Sequence, residues 1–150
     1  MSERIGTAIG QEQKAMADRF LALHRMQRPF VLANSWDVVT AKVFAQEGFP
    51  AIGTSSYATA ATLGLPDGQS FPLQETVELV RRLVQRVGLP VNADIEAGYA
   101  DTLDGVVESA RAVLSAGAVG INLEDSTRNE AKPLHDIGFQ CDRIAAIRAM

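Results

Sequence analysis

The chain has 150 residues, 47% of them hydrophobic and 21% charged, with a net charge of −4 and a pI near 5.1. Its basic residues are scattered rather than striped, which argues against nucleic acid or an anionic membrane as the main partner. A lone cysteine, Cys141, excludes an intrachain disulfide, and no run approaches the roughly 18 apolar residues of a membrane span, so the expectation is one soluble, cytoplasmic domain over residues 1–150.

In chain order, Met16, Phe20, Leu23 and Met26 recur at helical spacing and predict an amphipathic opening helix over 10–27, stopped by Pro29. "FVLANS" reads as a short buried strand, and Asp37 as the N-cap of a helix running to about Glu47. "GFPAIGTSS" then gives a terminating glycine and a strand of small residues. "PLQETVELVRRLVQRV" predicts a helix with proline near its start, followed by the strand of "GLPVNADI". "TLDGVVESARAVLSAG" repeats the phrase, with Thr102 as N-cap and Gly117 as terminator, before the strand of "AVGINLED". "GFQCDRIAAIRAM" begins a last helix.

Helix, glycine, short apolar strand and polar residues thus recur three times. This pattern predicts an α/β fold with a parallel sheet covered by helices, in four β/α units plus an N-terminal helix. A doubly wound sheet would be complete at this length. A (β/α)8 barrel needs about 250 residues, so the chain would hold its first half. The first strand ends in "ANSWDVVTA", without the G-x-G-x-x-G turn of a dinucleotide-binding domain.

Every candidate strand ends in polar residues: Asn34 to Asp37, then Thr54, Ser55 and Ser56, then Asp94 and Glu96, then Asn122, Glu124 and Asp125. The loop "LGLPDG" adds Asp67, whereas the strands begin with Pro or Ala followed by an apolar residue. Ligands of either architecture bind at the carboxyl ends of strands. Carboxylates converging there repel one another unless a cation neutralises them. Oxygen-only donors without a Cys/His cluster suit Mg²⁺ or Mn²⁺, with Asp94 as direct ligand and Glu96, Glu124 and Asp67 acting through water. Singly, each acid could instead cap a turn or helix or be solvated at a rim, and Trp36 could be an ordinary packing aromatic.

The segments "GTSSYATAATLGLPDG", "PVNADIEAGYA" and "GAVGINLEDS" resemble those of the isocitrate lyase/phosphoenolpyruvate mutase superfamily. The spacings, 27 positions from Asp67 to Asp94 and 30 from Asp94 to Glu124, are similar to that family's. The resemblance implies the first half of a metal-dependent (β/α)8 barrel that makes or breaks C–C or P–C bonds in small 2-oxo or 2-hydroxy acids. It implies Asp94 as the Mg²⁺ ligand, Glu96 as the second acid of a D-x-D pair, and Glu124 and Asp67 as acids facing the metal waters and serving catalysis. Thr54, Ser55 and Ser56 match a turn that holds the substrate carboxylate or phosphonate, with Trp36 and Asp37 near that pocket. An enolate stabilised by the ion is the implied intermediate, and a dimer or tetramer the implied full-length form. The family's K-[KR]-C-G-H loop is replaced by "STRNEAKPLHDIGF", in which Arg128, Lys132 and His135 are either substrate contacts or solvated surface residues. Two other readings stay open: a non-catalytic metal- or carboxylate-binding barrel fragment, and a doubly wound binding domain.

Overall fold

A computed structural model describes residues 2–127, 129 and 131–150, with side chains described from residue 10 onward. Four parallel strands, β1 (Ala33–Ser35), β2 (Ile52–Thr54), β3 (Val91–Asp94) and β4 (Gly120–Asn122), pair in sequence order. They alternate with α1 (Ser2–His24), α2 (Val38–Gln46), α3 (Ser56–Thr62), α4 (Leu73–Val87), α5 (Leu103–Ser115) and α6 (Ile137–Arg148). In-order parallel pairing is the topology of a barrel segment and not of a doubly wound sheet, whose strand order reverses.

The helices start and stop for local reasons. The Asp37 carboxylate accepts the Thr40 N–H at 2.7 Å and so caps α2. Thr102 caps α5 through Gly105 N–H at 3.2 Å, as its sequence position predicts. Gly88, at φ +68°, ends α4 in the left-handed conformation that glycine adopts without penalty. The core lies between strands and helices, where Val77, Val80 and Leu83 of α4 and Ala110 and Val113 of α5 bury against Ile52, Val91 and Ala93. Burying side chains of this kind stabilises by about 1.5–3 kcal/mol each.

The register places Asn34, Gly53, Asn92 and Gly120 in one row across the sheet. A Cβ on Gly53 would stand 2.4 Å from Asn34 Oδ1, and one on Gly120 would stand 2.5 Å from Asn92 Oδ1. Each asparagine therefore occupies the space that its glycine neighbour leaves. Helix α1 is clasped to the amino end of β4 by Gln13, whose amide donates to Leu114 O at 2.7 Å and Ala118 O at 2.9 Å. From the same helix, the Phe20 ring reaches Gly120.

Three details differ from the sequence expectations. Helix α1 runs from Ser2 to His24 rather than over 10–27, leaving Met26 57% exposed beyond its end. Helix α3 had no counterpart in the sequence reading: the Ser55 hydroxyl accepts Ala58 N–H at 3.2 Å and starts a short helix where a loop was expected. Strand β3 stops at Asp94, and Glu96 lies beyond it with a φ of +48° rather than ending the strand. No helix among the described residues is long and apolar enough to cross a membrane.

Candidate functional site

The carboxyl ends of the strands bring Trp36, Asp37, Thr54, Ser55, Ser56, Asp94, Glu96 and Glu124 to one end of the sheet. Asp94 closes β3, between β2 and β4, where three hydrogen bonds hold it. Its Oδ2 accepts the Ser56 N–H at 3.0 Å and its Oδ1 the Glu96 N–H at 3.0 Å. Its own N–H donates to the hydroxyl of the buried Thr54 at 2.8 Å. Backbone N–H donors fix the carboxylate in orientation while leaving lone pairs for a further ligand.

Glu96 is 4% exposed, an unusual position for an acid. One of its oxygens accepts the Gln69 N–H at 2.5 Å and the other the Tyr99 hydroxyl at 3.0 Å. Burial pushes its carboxyl above the usual range against both hydrogen bonds, and the charges of Asp94 and Asp67 push it the same way. Burial likewise drives the Tyr99 phenol well upward, so it stays protonated and keeps donating to Glu96. Among the described residues, the non-glycine positions with positive φ are Gln69 at +56°, Glu96 at +48° and Tyr99 at +54°. They are the acid and its two donors. Backbone strain of about 1–3 kcal/mol per such residue is thus concentrated around one carboxylate.

Asp67 is exposed on the loop that Gln69 ties to Glu96. Glu124 lies past β4 and is exposed, with its N–H bonded to Glu96 O at 2.8 Å and one carboxylate oxygen accepting the Ser126 hydroxyl at 2.6 Å. Trp36 is 37% exposed at the end of β1, and the Asp37 carboxylate is engaged in capping α2. An open cavity of about 380 Å³ is lined by Gln69, Ala97, Asp101, Ser126, Thr127 and His135. The segment after Glu124 folds back through a bridge between Ser126 and Leu134, and His135 N–H donates to Asp125 O at 2.7 Å. Lys132 pairs with Asp136 at 2.8 Å in an exposed ion pair, while Arg128 lies outside the described residues.

Among the described residues, no three acids gather closely enough to enclose a metal ion. A single carboxylate at a strand end is compatible with the coordination habit of Mg²⁺, which takes one or two carboxylates and keeps several waters. The oxygen-only donor set therefore fits a hard divalent ion bound at Asp94.

Residues 20–150 match the family described as phosphoenolpyruvate phosphomutase. The chain belongs to this family, within the phosphoenolpyruvate mutase/isocitrate lyase superfamily. It is 36% identical over 129 residues to an uncharacterised protein of Mycobacterium tuberculosis, covering 86% of this chain and 47% of that one. It is 31% identical over 115 residues to 2-methylisocitrate lyase of Halalkalibacterium halodurans, covering 77% of this chain and 38% of the lyase. Among solved structures, a Burkholderia cenocepacia protein of lyase/mutase type superposes with a TM-score of 0.87 at 35% identity, over 93% of this chain and 51% of its own. Phosphonopyruvate hydrolase in complex with oxalate and Mg²⁺ superposes with a TM-score of 0.80 at 25% identity, over 92% and 47%. The chain thus spans about half the length of these relatives, and its four strands in order are a partial family barrel.

Three residues that shape the site escaped the sequence reading. Tyr99 and Gln69 hold Glu96, and their only signal was proximity to glycines. Arg143 is 1% exposed on α6, where it shares a four-residue spacing with Phe139 and Ile147. A cation on an otherwise apolar stripe was its signal.

Proposed function

We propose that this chain carries the metal-binding half of an active site that makes or breaks a C–C or P–C bond in a small 2-oxo or 2-hydroxy acid. The observation that carries the reading is Asp94, aimed by Ser56 N–H, Glu96 N–H and the Thr54 hydroxyl at the carboxyl end of the sheet. Asp94 would hold Mg²⁺ or Mn²⁺ directly, and Glu96, Glu124 and Asp67 would orient its waters. When bound, the ion supplies Lewis acidity and a template for an enolate-like charge on the substrate. Trp36, Asp37, Ser55 and Ser56 stand at the ends of the neighbouring strands, where a substrate carboxylate or phosphonate would be held, and Thr54 serves by fixing Asp94. Glu124, exposed beside Ser126, and Asp67, exposed on its loop, would be the acids to take up or release a proton. The Mg²⁺ and oxalate of the phosphonopyruvate hydrolase complex support the assignment by likeness.

Titration calorimetry with Mn²⁺ is expected to show one site that Asp94→Ala removes. Absence of binding by the native chain would overturn the metal assignment. For the chemistry, full-length protein supplied with oxaloacetate, phosphonopyruvate or 2-methylisocitrate is expected to release pyruvate from at least one, and silence on all three retires the bond-breaking assignment. Because the chain spans half the length of its relatives, metal binding without turnover is the second reading, and it predicts the first result without the second.

A further inference from the structure

We infer that Arg143 is a positioning residue that sets the spacing between the Glu96 and Glu124 loops, an inference that rests on those acids forming the proposed site. Its guanidinium is buried, yet it bonds to backbone carbonyls rather than to a carboxylate. Nη2 donates to the carbonyl of Ala97, the residue immediately after Glu96. Nη1 donates to Glu124 O at 3.2 Å and to Gln140 Oε1 at 2.8 Å. The Glu124 N–H in turn reaches Glu96 O at 2.8 Å. These bonds close a ring through the peptide units of both acids, so neither backbone can shift without stretching a bond to the other or to Arg143.

The surroundings hold the guanidinium in that role. Gln140, one turn earlier on α6, fixes its orientation, and the Phe139 ring lies 5.8 Å from its central carbon. Gly98 has a φ of +92°, and a Cβ there would stand 3.2 Å from Nη2, so the loop passes close enough only because glycine is present. The arrangement is poor as a device for stability alone. Nε finds no partner among the described residues, and a buried cation with an unmet donor is costly. What the cost secures is geometry, since two segments far apart in sequence are locked together beside the acids.

Hydrogen exchange and Mn²⁺ titration on the same chain test this, with Arg143→Met and Arg143→Lys beside the native protein and Asp94→Asn. Arg143→Met is expected to lose exchange protection selectively at the Glu124 and Gly98 amides while core amides such as Ala93 and Val113 keep theirs. Its Mn²⁺ affinity is expected to fall about tenfold, the effect typical of losing a group that orients a ligand. Arg143→Lys, which keeps the charge and can still reach a carbonyl, is expected to recover part of both. Uniform loss of protection, or unchanged protection at Glu124 and Gly98, overturns the positioning role whatever the metal does. Selective loss of protection with unaltered Mn²⁺ affinity overturns the link to the site. If the native chain itself binds no Mn²⁺, the site reading fails while the exchange result still judges the clamp.

Discussion

At the scale of single residues, the site is organised around a buried acid that does not titrate normally. The Glu96 carboxyl is raised in the folded state, chiefly by burial, so the metal-free native protein binds its proton more tightly than the unfolded chain does. Its contribution to stability is fully present below the ordinary glutamate range and is lost as pH rises through the raised folded value. Urea unfolding of the metal-free chain and of Glu96→Gln between pH 4 and 8 isolates this contribution as a difference. The wild type is expected to lose stability relative to the variant as pH rises, and a constant difference would contradict the assignment. Saturating Mn²⁺ is expected to reverse the order at neutral pH, because the ion favours the charged acid. Tyr99→Phe removes the phenolic donor and leaves one Glu96 oxygen without its partner, at an expected cost of about 1–3 kcal/mol in the same assay. Asp94 was legible from its strand, since an acid ending an apolar run calls for a partner. The grip on Glu96 was not legible, because it depends on three left-handed residues that converge only after folding.

At the scale of elements, the side-chain caps of α2 and α5 and the glycines that follow α4 and α5 were legible. Asp37 and Thr102 cap as their positions indicate, and Gly88 and Gly117 terminate with positive φ. Helix α3 was hidden because its residues, "SYATAAT", have no apolar stripe and its cap, Ser55, also reads as a turn residue. The two uses of polar strand ends can be separated by experiment. Asp37→Ala is expected to cost about 1 kcal/mol through the lost α2 cap while leaving Mn²⁺ affinity within twofold, and a large loss of affinity would instead make Asp37 part of the metal's surroundings. Gly98→Ala is expected to impair both, because a Cβ would lie 3.0 Å from both Val106 methyls in a backbone conformation that alanine resists.

At the scale of the whole molecule, a parallel sheet was readable from the repeated helix–glycine–strand phrase, whereas the phrase alone left its strand order open between a doubly wound sheet and a barrel segment. The row of alternating asparagine and glycine across the sheet was not readable, since it exists only through the register. Gly120→Ala is expected to cost about 1–3 kcal/mol, because the new methyl meets Asn92 and, 2.7 Å away, the Phe20 ring of α1. Thermal unfolding measures this, and a neutral substitution would mean that α1 is not seated as described.

The Arg143 ring also bears on the order in which the molecule assembles. Its bond to Ala97 spans 46 residues, and the Asp94 contacts with Thr54 and Ser56 span 40 and 38. Contacts at such separations form after local helices, once the chain entropy of closing long loops has been overcome. During synthesis, strands β2 and β3 can pair while α6 is still being made, but the two acids acquire their mutual spacing only when Arg143 arrives. In stopped-flow refolding, Mn²⁺ capture at full affinity is therefore expected to lag the helical signal until α6 has docked, and simultaneous phases would contradict this order.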